Sequence, residues 1–129
     1  MANQFVVQLK NDPGAMATLA ELLAARGVDL RAIGGGGIGD AGHVIMTTAD
    51  DDATREILDA GDYVYVEGES IITEVDDKPG GMARLSRELA DAGVNIYGHL
   101  FLGRWGDRAM FAFVVDKPDV ARPILEHKG

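Results

Sequence analysis

The residues best suited to bind a ligand lie in a six-residue segment that occurs twice. The copies read Asn-Asp-Pro-Gly-Ala-Met from Asn11 and Asp-Lys-Pro-Gly-Gly-Met from Asp77. Each lies between an apolar run and a helical pattern, so we expect its proline in the first helical turn, where a missing N–H costs nothing, and its glycine where other groups approach the backbone. Free N–H groups at a helix N-terminus attract anions, carboxylates included. The segment therefore predicts either an anion-binding turn or a helix start without a ligand.

A second candidate is the run of three aspartates at 50–52. Adjacent carboxylates can hold a hard cation. The run also directly precedes the apolar positions Ala53, Ile57 and Leu58. At such a place carboxylates cap a helix and complement its dipole. Because capping explains the run without a metal, we predict no metal site.

A glycine run supplies a third candidate, since Gly34, Gly36 and Gly39 match the letters of the dinucleotide-binding pattern G-x-G-x-x-G. That pattern must open a helix within a parallel βαβ unit. Here the run precedes a strand pattern at 44–48. We therefore expect a flexible hairpin tip or a close backbone approach, and no cofactor.

The histidines do not form a recognisable metal motif, because His43, His99 and His127 are far apart in sequence. His99 lies between Tyr97 and Phe101 on a strand pattern, so it could reach a ligand, but we expect a structural role. No Ser/His/Asp set or cofactor motif is present either. We therefore predict that the chain is not an enzyme and has no catalytic residues.

Trp105 is flanked by two cations, Arg104 and Arg108. This grouping predicts an exposed hairpin tip where a guanidinium stacks on the indole ring. A role of the tip in an interface is equally compatible with the pattern.

The elements that must position these residues form an internal repeat. A shift of 66 positions places the segment from Phe5 on the segment from Ile71 without a gap. The identical pairs are Pro13 and Pro79, Gly14 and Gly80, Met16 and Met82, Ala17 and Ala83, Leu19 and Leu85, Leu23 and Leu89, Ala24 and Ala90, Gly27 and Gly93, Val28 and Val94, Gly37 and Gly103, and Asp50 and Asp116. The conservative pair Ile45 and Phe111 extends the match to the third strand. We therefore expect two units, 1–69 and 70–129.

Each copy shows the same order of patterns. Short apolar runs at 5–9 and 71–75 predict first strands. Helical spacing of apolar residues follows, at Met16, Leu19, Ala20 and Leu23 and at Met82, Leu85, Leu89 and Ala92. Second strands are predicted at 28–33 and 94–102, third strands at 43–48 and 109–115, a second helix in each copy, and a fourth strand at 63–67. The order is βαββαβ, so the fold class is α+β, with two ferredoxin-like units whose antiparallel sheets carry both helices on one face.

The second copy departs from this order at its end. Pro123 interrupts the last helical pattern, so we expect that helix to be kinked or short. Residues for a fourth strand are missing. The first strand of the second copy should therefore be an open sheet edge, which another chain pairs with or the terminal segment covers. We expect a homodimer or a larger assembly.

Composition narrows the possible functions further. The chain has 129 residues, a net charge of −9, no cysteine and 47% hydrophobic residues. These values exclude disulfides and thiolate metal sites and oppose binding to nucleic acid. No window approaches the roughly 18 apolar residues of a membrane span, and no signal segment opens the chain. We expect a cytoplasmic protein with no membrane or nucleic-acid partner.

The repeated series Asn/Asp-x-Pro-Gly-x-Met-Ala-x-Leu, followed after about a dozen residues by Gly-Val-Asn/Asp-Ile/Leu, resembles the ACT domain. In the second copy the residues are 78–85 and 93–96, and in the first they are 11–14 and 27–30. ACT domains are small-molecule-binding regulatory modules of amino-acid metabolism. The resemblance covers nearly the whole chain twice, so the chain is similar to a stand-alone tandem ACT protein.

The resemblance implies an amino acid or similar effector bound between two ACT units, against the Pro-Gly turn of one and the start of the second strand of the other. Carried over by position, the sites are Asn11, Asp12, Gly14, Ala15 and Met16 with Asn95 and Ile96, and Asp77, Gly80, Gly81 and Met82 with Asp29 and Leu30. Helix N–H groups suit the α-carboxylate, and amide or carboxylate oxygens accept from the α-ammonium. The second set contains two acids that would repel a carboxylate, so we favour the set with Asn11 and Asn95.

These features predict a regulatory protein that binds an amino acid and acts through a partner protein or a second copy of itself. The alternative is a ligand-free structural subunit that docks on an amino-acid metabolic enzyme and activates it. A small enzyme on a ferredoxin-like frame would need catalytic motifs, which the sequence lacks.

Overall fold

A computed structural model describes residues 2–126 of the chain. The chain divides into two compact units, Met1–Gly68 and Glu69–Gly129, called unit 1 and unit 2 below. His127 and the last residues of the terminal segment, one of the two expected partners of the open sheet edge, lie outside the described residues. None of the helices within 2–126 has the length and apolar character that crossing a bilayer requires.

Unit 1 has the predicted βαββαβ order. Its elements are β1 Asn3–Lys10, α1 Ala15–Ala25, β2 Leu30–Ile38, β3 Ala41–Thr48, α2 Asp51–Ala60 and β4 Tyr65–Glu69. The sheet has the order β2-β3-β1-β4, and β3 pairs antiparallel with both β1 and β2. This is the ferredoxin-like arrangement expected from the sequence.

One face of this sheet carries both helices. Successive residues of a strand point to opposite faces, so Phe5, Val7, Val44 and Met46 share one face. They pack in one core cluster with residues of α1, α2 and the segment between α1 and β2, namely Leu19, Leu23, Val28, Ala53, Ile57 and Leu58. The expected placement of the helices is confirmed.

The acidic run starts α2 as predicted. The Asp50 side chain accepts a hydrogen bond from the Ala53 N–H at 3.0 Å, and Asp51 and Asp52 occupy the first helical turn. The helix ends at the C-cap Gly61. The aspartates therefore act as a cap and a dipole partner.

Within residues 2–126, unit 2 has one strand fewer than unit 1. Its elements are β5 Ile71–Asp76, α3 Gly81–Asp91, β6 Ile96–Trp105, β7 Arg108–Val115 and α4 Pro118–Glu126. The sheet has the order β5-β7-β6, and no fourth strand joins it within the described residues. Its core contains Ile71, Val75, Leu85, Leu89, Val94, Ala109, Phe113, Val115, Ala121 and Leu125. The last helix has nine residues and includes Pro123.

The second strands begin two residues later than the sequence suggested. Gly27 adopts a φ of 69°, and the N–H of Val28 donates to the carbonyl of Leu23 at 2.9 Å. This is the hydrogen bond that closes a helix C-terminus in the Schellman motif, so Val28 belongs to the end of α1. The same bond joins Val94 to Leu89 after α3. The fourth strand is also displaced, from the expected 63–67 to Tyr65–Glu69.

The strand registers correct the gapless alignment of the two copies. In unit 1 the pairing of β2 with β3 runs unbroken from Gly35↔Val44 to the end of the hairpin. In unit 2 Phe101↔Phe111 is followed by Gly103↔Met110, so Leu102 is an extra residue in a β-bulge.

Beyond this bulge the offset between the copies is 67 residues, because Val44 corresponds to Phe111. Gly37 therefore corresponds to Arg104. The pairs Gly37 with Gly103, Ile45 with Phe111 and Asp50 with Asp116 are not equivalent, and that part of the alignment was wrong.

Candidate functional site

The two Pro-Gly turns have the same backbone conformation. Gly14 and Gly80 are the N-caps of α1 and α3, with φ values of 89° and 93°. Pro13 and Pro79 precede these caps, so our expectation that proline lies in the first helical turn was wrong. No side chain caps either helix. A Cβ at Gly14 or Gly80 would meet nothing within 4 Å, so the space above both glycines is open and their φ is what requires glycine.

Each turn leaves helix N–H groups free. At α1, Ala15 donates to the Asp12 carbonyl at 3.3 Å and Thr18 donates to the Gly14 carbonyl at 2.9 Å. Between them, Met16 and Ala17 donate to no backbone carbonyl of the described chain. These two N–H groups are among the orphan donors at every helix start, and they suit an anionic group.

In unit 1 the turn borders two cavities. The smaller, of about 420 Å³, lies between the turn and β2, and its lining includes Asn11, Met16, Ile33, Gly35 and Gly37. Its size is within the range of small-molecule sites. Of the residues predicted from the resemblance, it brings together Asn11, Asp12, Ala15 and Met16.

The larger cavity, of about 780 Å³, lies on the β4 side of the same turn. Its lining includes the predicted residues Asp12, Gly14 and Ala15. The sequence did not single out the other residues around it, among them Lys10, Thr18, Asp40, Asp62 and Tyr63. They come from separate elements, so no motif spacing could have linked them.

The glycine run of β2 makes room for the smaller cavity. In the corrected register Gly35 corresponds to Phe101 of unit 2, and Gly37 corresponds to Arg104. The two glycines therefore leave empty the positions that large side chains occupy in unit 2. One of our two expectations, a hairpin tip, holds only for Gly39, which has a φ of 61° and lies in the turn between β2 and β3, whereas Gly34 and Gly36 lie within β2. The other expectation, a close backbone approach, is confirmed, since a Cβ on Gly35 would lie 2.4 Å from the His43 carbonyl oxygen.

In unit 2 these side chains occupy the corresponding place. The rings of Phe101 and Phe111 meet edge to face with centroids 5.6 Å apart. The Arg104 guanidinium lies over Phe101 at 4.8 Å, and its Nε donates to Asp77 Oδ2 at 2.7 Å. We call Phe101, Arg104 and Asp77 the unit 2 seal. For Arg104 the predicted stacking on Trp105 was wrong, because its guanidinium lies on Phe101; Trp105 is exposed, as expected for a hairpin tip.

In unit 1, Asn11 links the Pro-Gly turn to the β2–β3 hairpin through neutral hydrogen bonds and not through an ion pair. Its backbone N–H donates to the Asp40 carbonyl at 3.2 Å, and its side-chain Nδ2 donates to the Gly39 carbonyl at 2.9 Å. A Cβ on Gly37 would lie 2.6 Å from both Cγ and Oδ1 of Asn11. Oδ1 makes none of these bonds and can accept a hydrogen bond.

The acids of the second predicted set are not free to repel an anion. Asp77 is paired with Arg104, and the Asp29 carboxylate lies 3.4 Å from Arg31. Beside Asp77, the Asp76 carboxylate accepts from Arg108 at 2.5 Å. Each acid of this set therefore has a cationic neighbour, and the preference for the set with Asn11 and Asn95 stays a prediction.

The unit 2 turn is also packed more tightly. Gly81 is buried, and a Cβ there would lie 2.3 Å from the Asp76 carbonyl oxygen. The equivalent residue in unit 1 is Ala15, which carries a side chain. Gly80 and Met82 lie on either side of Gly81, at the start of α3.

The remaining predicted residues lie at the starts of the second strands. Asn95 is exposed, and its N–H donates to Asp116 Oδ1 at 2.9 Å. Ile96 and Leu30 are half-buried and pack against the cores of their own units. None of these residues lines either unit 1 cavity. A pairing of Asn95 and Ile96 with Asn11 stays a prediction.

Other candidate chemistry has structural explanations. His99 stacks on Phe113 with ring centroids 6.1 Å apart. Within residues 2–126 no group of three or more histidine, aspartate or glutamate side chains is placed to hold a metal ion.

A bidentate ion pair of unit 1 lies between α2 and β4, and neither of its residues lines the two cavities at the turn. The Arg55 guanidinium contacts both oxygens of Glu67, with Nε–Oε1 and Nη2–Oε2 distances of 2.8 and 2.5 Å. This pairing, aided by a hydrogen bond from Asn3, lowers the pKa of Glu67 below its ordinary value. The pair ties α2 to β4.

Comparison with known proteins gives structural matches only. No protein-family model and no curated protein sequence matches the chain. A crystal structure of a Bacteroides thetaiotaomicron protein matches with a TM-score of 0.71 and 20% identity, covering 98% of this chain and 88% of that one. The regulatory subunit of aspartate kinase from Thermus flavus matches with a TM-score of 0.66 and 16% identity over 99% and 93% of the two chains.

The ligand-free regulatory subunit of aspartate kinase from Thermus thermophilus matches with a TM-score of 0.59 and 18% identity, over 98% of this chain and 91% of that one. At such identities the likeness establishes the fold. The chain has a tandem ACT-like fold, shared with regulatory subunits of aspartate kinase.

Proposed function

We propose that this chain is a non-catalytic regulatory protein that binds an amino acid at the Pro-Gly turn of unit 1. The observation that carries the proposal is the contrast between the two turns. Gly35 and Gly37 leave a cavity of about 420 Å³ beside the first turn, whereas the unit 2 seal occupies the corresponding place at the second.

The residues around the first turn suit the two charged groups of an amino acid. The free N–H groups of Met16 and Ala17 suit an α-carboxylate. The carboxylate of Asp12 and Oδ1 of Asn11 suit an α-ammonium group, because both accept hydrogen bonds. Besides glycines and the polar residues Lys10, Asn11, Asp12 and His43, the lining contains Leu9, Ala15, Met16, Ile33 and Val44. Because of these apolar residues we propose an apolar ligand side chain.

The resemblance to the ACT domain adds candidates from the starts of the second strands. We keep Asn95 and Ile96 as further ligand contacts for the first turn. For the second turn, Asp77, Gly80, Gly81 and Met82 with Asp29 and Leu30 remain the equivalent set. Because Asp77 is engaged by Arg104, we propose that the first turn is the one that binds.

The structural neighbours support a regulatory role, since two of them are regulatory subunits of aspartate kinase. We propose that ligand binding shifts the population of conformations in this chain and so changes its contact with an enzyme of amino-acid metabolism or with a second copy. A second candidate is a ligand-free docking subunit. The sealed turn of unit 2 favours that role for unit 2 itself.

Thermal shift measurements on the full chain with each of the twenty common L-amino acids at millimolar concentration test the proposal. We expect at least one apolar amino acid to raise the melting temperature. Gly37→Arg, which introduces the unit 2 residue, should abolish that rise. Gly36→Ala is the control and should retain it, because residues of a strand alternate between faces and its methyl group points away from the face shared by Gly35 and Gly37. No response to any of the twenty would contradict the binding role.

A further inference from the structure

Strand β5 pairs with β7 on one side, and within the described residues no strand pairs with it on the other. In unit 1 the equivalent strand, β1, lies between β3 and β4. There the Gln8 N–H donates to the Val64 carbonyl at 2.9 Å. The equivalent residue of β5 is Glu74, and residues 2–126 offer its N–H no such acceptor.

The pairing with β7 shows which backbone groups face the open edge. Just beyond β5, the Asp77 N–H donates to the Asp107 carbonyl at 2.8 Å, so Asp77 faces the β7 side. Backbone groups of alternate residues face alternate sides of a strand. The N–H and C=O groups of Ile72 and Glu74 therefore point to the open edge, whereas the Asp76 carbonyl lies against Gly81 of the same unit.

We propose that this edge pairs with β5 of a second copy of the chain, antiparallel, with the two-fold axis at Thr73. Two copies would then share one six-stranded sheet of order β6-β7-β5-β5-β7-β6. The proposal does not depend on ligand binding.

The side chains of β5 select this register. Ile71, Thr73 and Val75 are buried and share the face that carries the helices, and residues directly opposite in a sheet must share a face. With the axis at Thr73, Ile71 lies opposite Val75 of the second copy and extends the core. On the other face Ile72, which is 36% exposed, lies opposite Glu74.

The alternative register of equal length places the axis at Glu74. It sets the two Glu74 carboxylates directly opposite each other, which is destabilising. It also places Ile72 opposite Asp76 and leaves Ile71 without an apolar partner. The strand is therefore self-complementary in one register, and this argues for a second copy as the occupant of the edge.

The first test is the oligomeric state of the full chain. We expect a dimer by light scattering at tens of micromolar, and the same for Glu74→Gln. Glu74→Pro removes the outward N–H, and an edge strand can accept a proline at such a position. We expect it to raise the dimer dissociation constant at least about tenfold, because two intermolecular hydrogen bonds are lost.

Circular dichroism of Glu74→Pro must show the wild-type spectrum for this comparison to count. If that variant does not fold, amide exchange on the wild type replaces it, with Glu74 protection expected to rise with protein concentration. A wild-type monomer, or a dimer that Glu74→Pro does not weaken, would overturn the proposal. A monomer whose Glu74 amide is protected at every concentration would instead show that the chain covers its own edge.

Cysteine cross-linking tests the register, and the chain has no native cysteine to interfere. With the axis at Thr73, the two Thr73 Cα atoms form a non-hydrogen-bonded pair about 4.5 Å apart, within the reach of a disulfide. Thr73→Cys should therefore form an intermolecular disulfide on mild oxidation. Glu74→Cys is the matched control and should not. The reverse result would overturn the register.

Discussion

An alanine scan of the glycine run in β2 should separate three effects that the structure assigns to adjacent residues. None of Gly35, Gly36 and Gly37 has a positive φ, so alanine fits their backbone conformation. They differ in what a Cβ would meet. At Gly36 it meets nothing within 4 Å, whereas at Gly35 it would lie 2.4 Å from the His43 carbonyl oxygen and 3.1 Å from the Val44 Cα.

The expected changes in the free energy of unfolding follow from these distances. Gly36→Ala should stabilise by about 0.5–1 kcal/mol, because alanine loses less conformational entropy on folding. Gly35→Ala gains the same amount but pushes on backbone that cannot rotate away, at a cost of roughly 1–3 kcal/mol or more. Gly37→Ala would meet only the Asn11 side chain, which can move if it gives up its bond to Gly39. Losing that hydrogen bond costs about 0.5–1 kcal/mol, which cancels the entropic stabilisation from replacing glycine by alanine.

Urea unfolding followed by far-ultraviolet circular dichroism measures all three variants. The order of stability should be Gly36→Ala, then Gly37→Ala close to wild type, then Gly35→Ala. With an m-value of about 2 kcal/mol per molar urea, the extremes should differ by about 1 M in midpoint. Equal midpoints for Gly35→Ala and Gly36→Ala would refute the inference that the β2 backbone lies too close to β3 for a side chain.

Three further predictions concern the turns and the Arg55–Glu67 pair. Gly81→Ala should lower the free energy of unfolding in urea by about 1–3 kcal/mol, because its Cβ would lie 2.3 Å from the Asp76 carbonyl oxygen. The matched change Ala15→Gly should lower it by only about 1 kcal/mol. Equal losses would contradict the tighter packing of the second turn. Gly14→Ala should cost roughly 1–2 kcal/mol although the space is open, because φ is 89°, and Gly14→Asn should cost less. Because Arg55 lowers the pKa of Glu67 in the folded state, the stability from this pair is present above the ordinary glutamate pKa of about 4.3 and is lost as the pH falls through the folded value. The melting temperature of Glu67→Gln should thus lie below wild type at pH 7 and approach it at pH 3, and a constant difference would count against the pair.

The fold was predictable because its signals are local and repeated. The period of the apolar residues identifies the strands and helices, and the paired Gly27 and Gly93 mark where α1 and α3 end. Within residues 2–126, unit 2 has the three strands that the apolar runs predicted. Exact strand starts were not predictable, because a residue such as Val28 is apolar whether it closes a helix or begins a strand.

The candidate site was predictable only in part, and the bulge at Leu102 is the reason. A bulge adds one residue without interrupting the apolar pattern of β6. The gapless alignment therefore matched Gly37 with Gly103, and this hid the more informative contrast of Gly37 with Arg104. Sequence reasoning identified the Pro-Gly turns but could not predict that Phe101, Arg104 and Asp77 occupy the space beside the second one.

The most direct test of the central claim transfers the unit 2 seal to unit 1. Isothermal titration calorimetry on the full chain, with the amino acid that gives the largest thermal shift, should show one binding site per chain. The double variant Asn11→Asp/Gly37→Arg recreates the Asp77–Arg104 pair at the first turn and should show no binding while it still folds. Two sites per chain, or undiminished binding by this variant, would contradict the account.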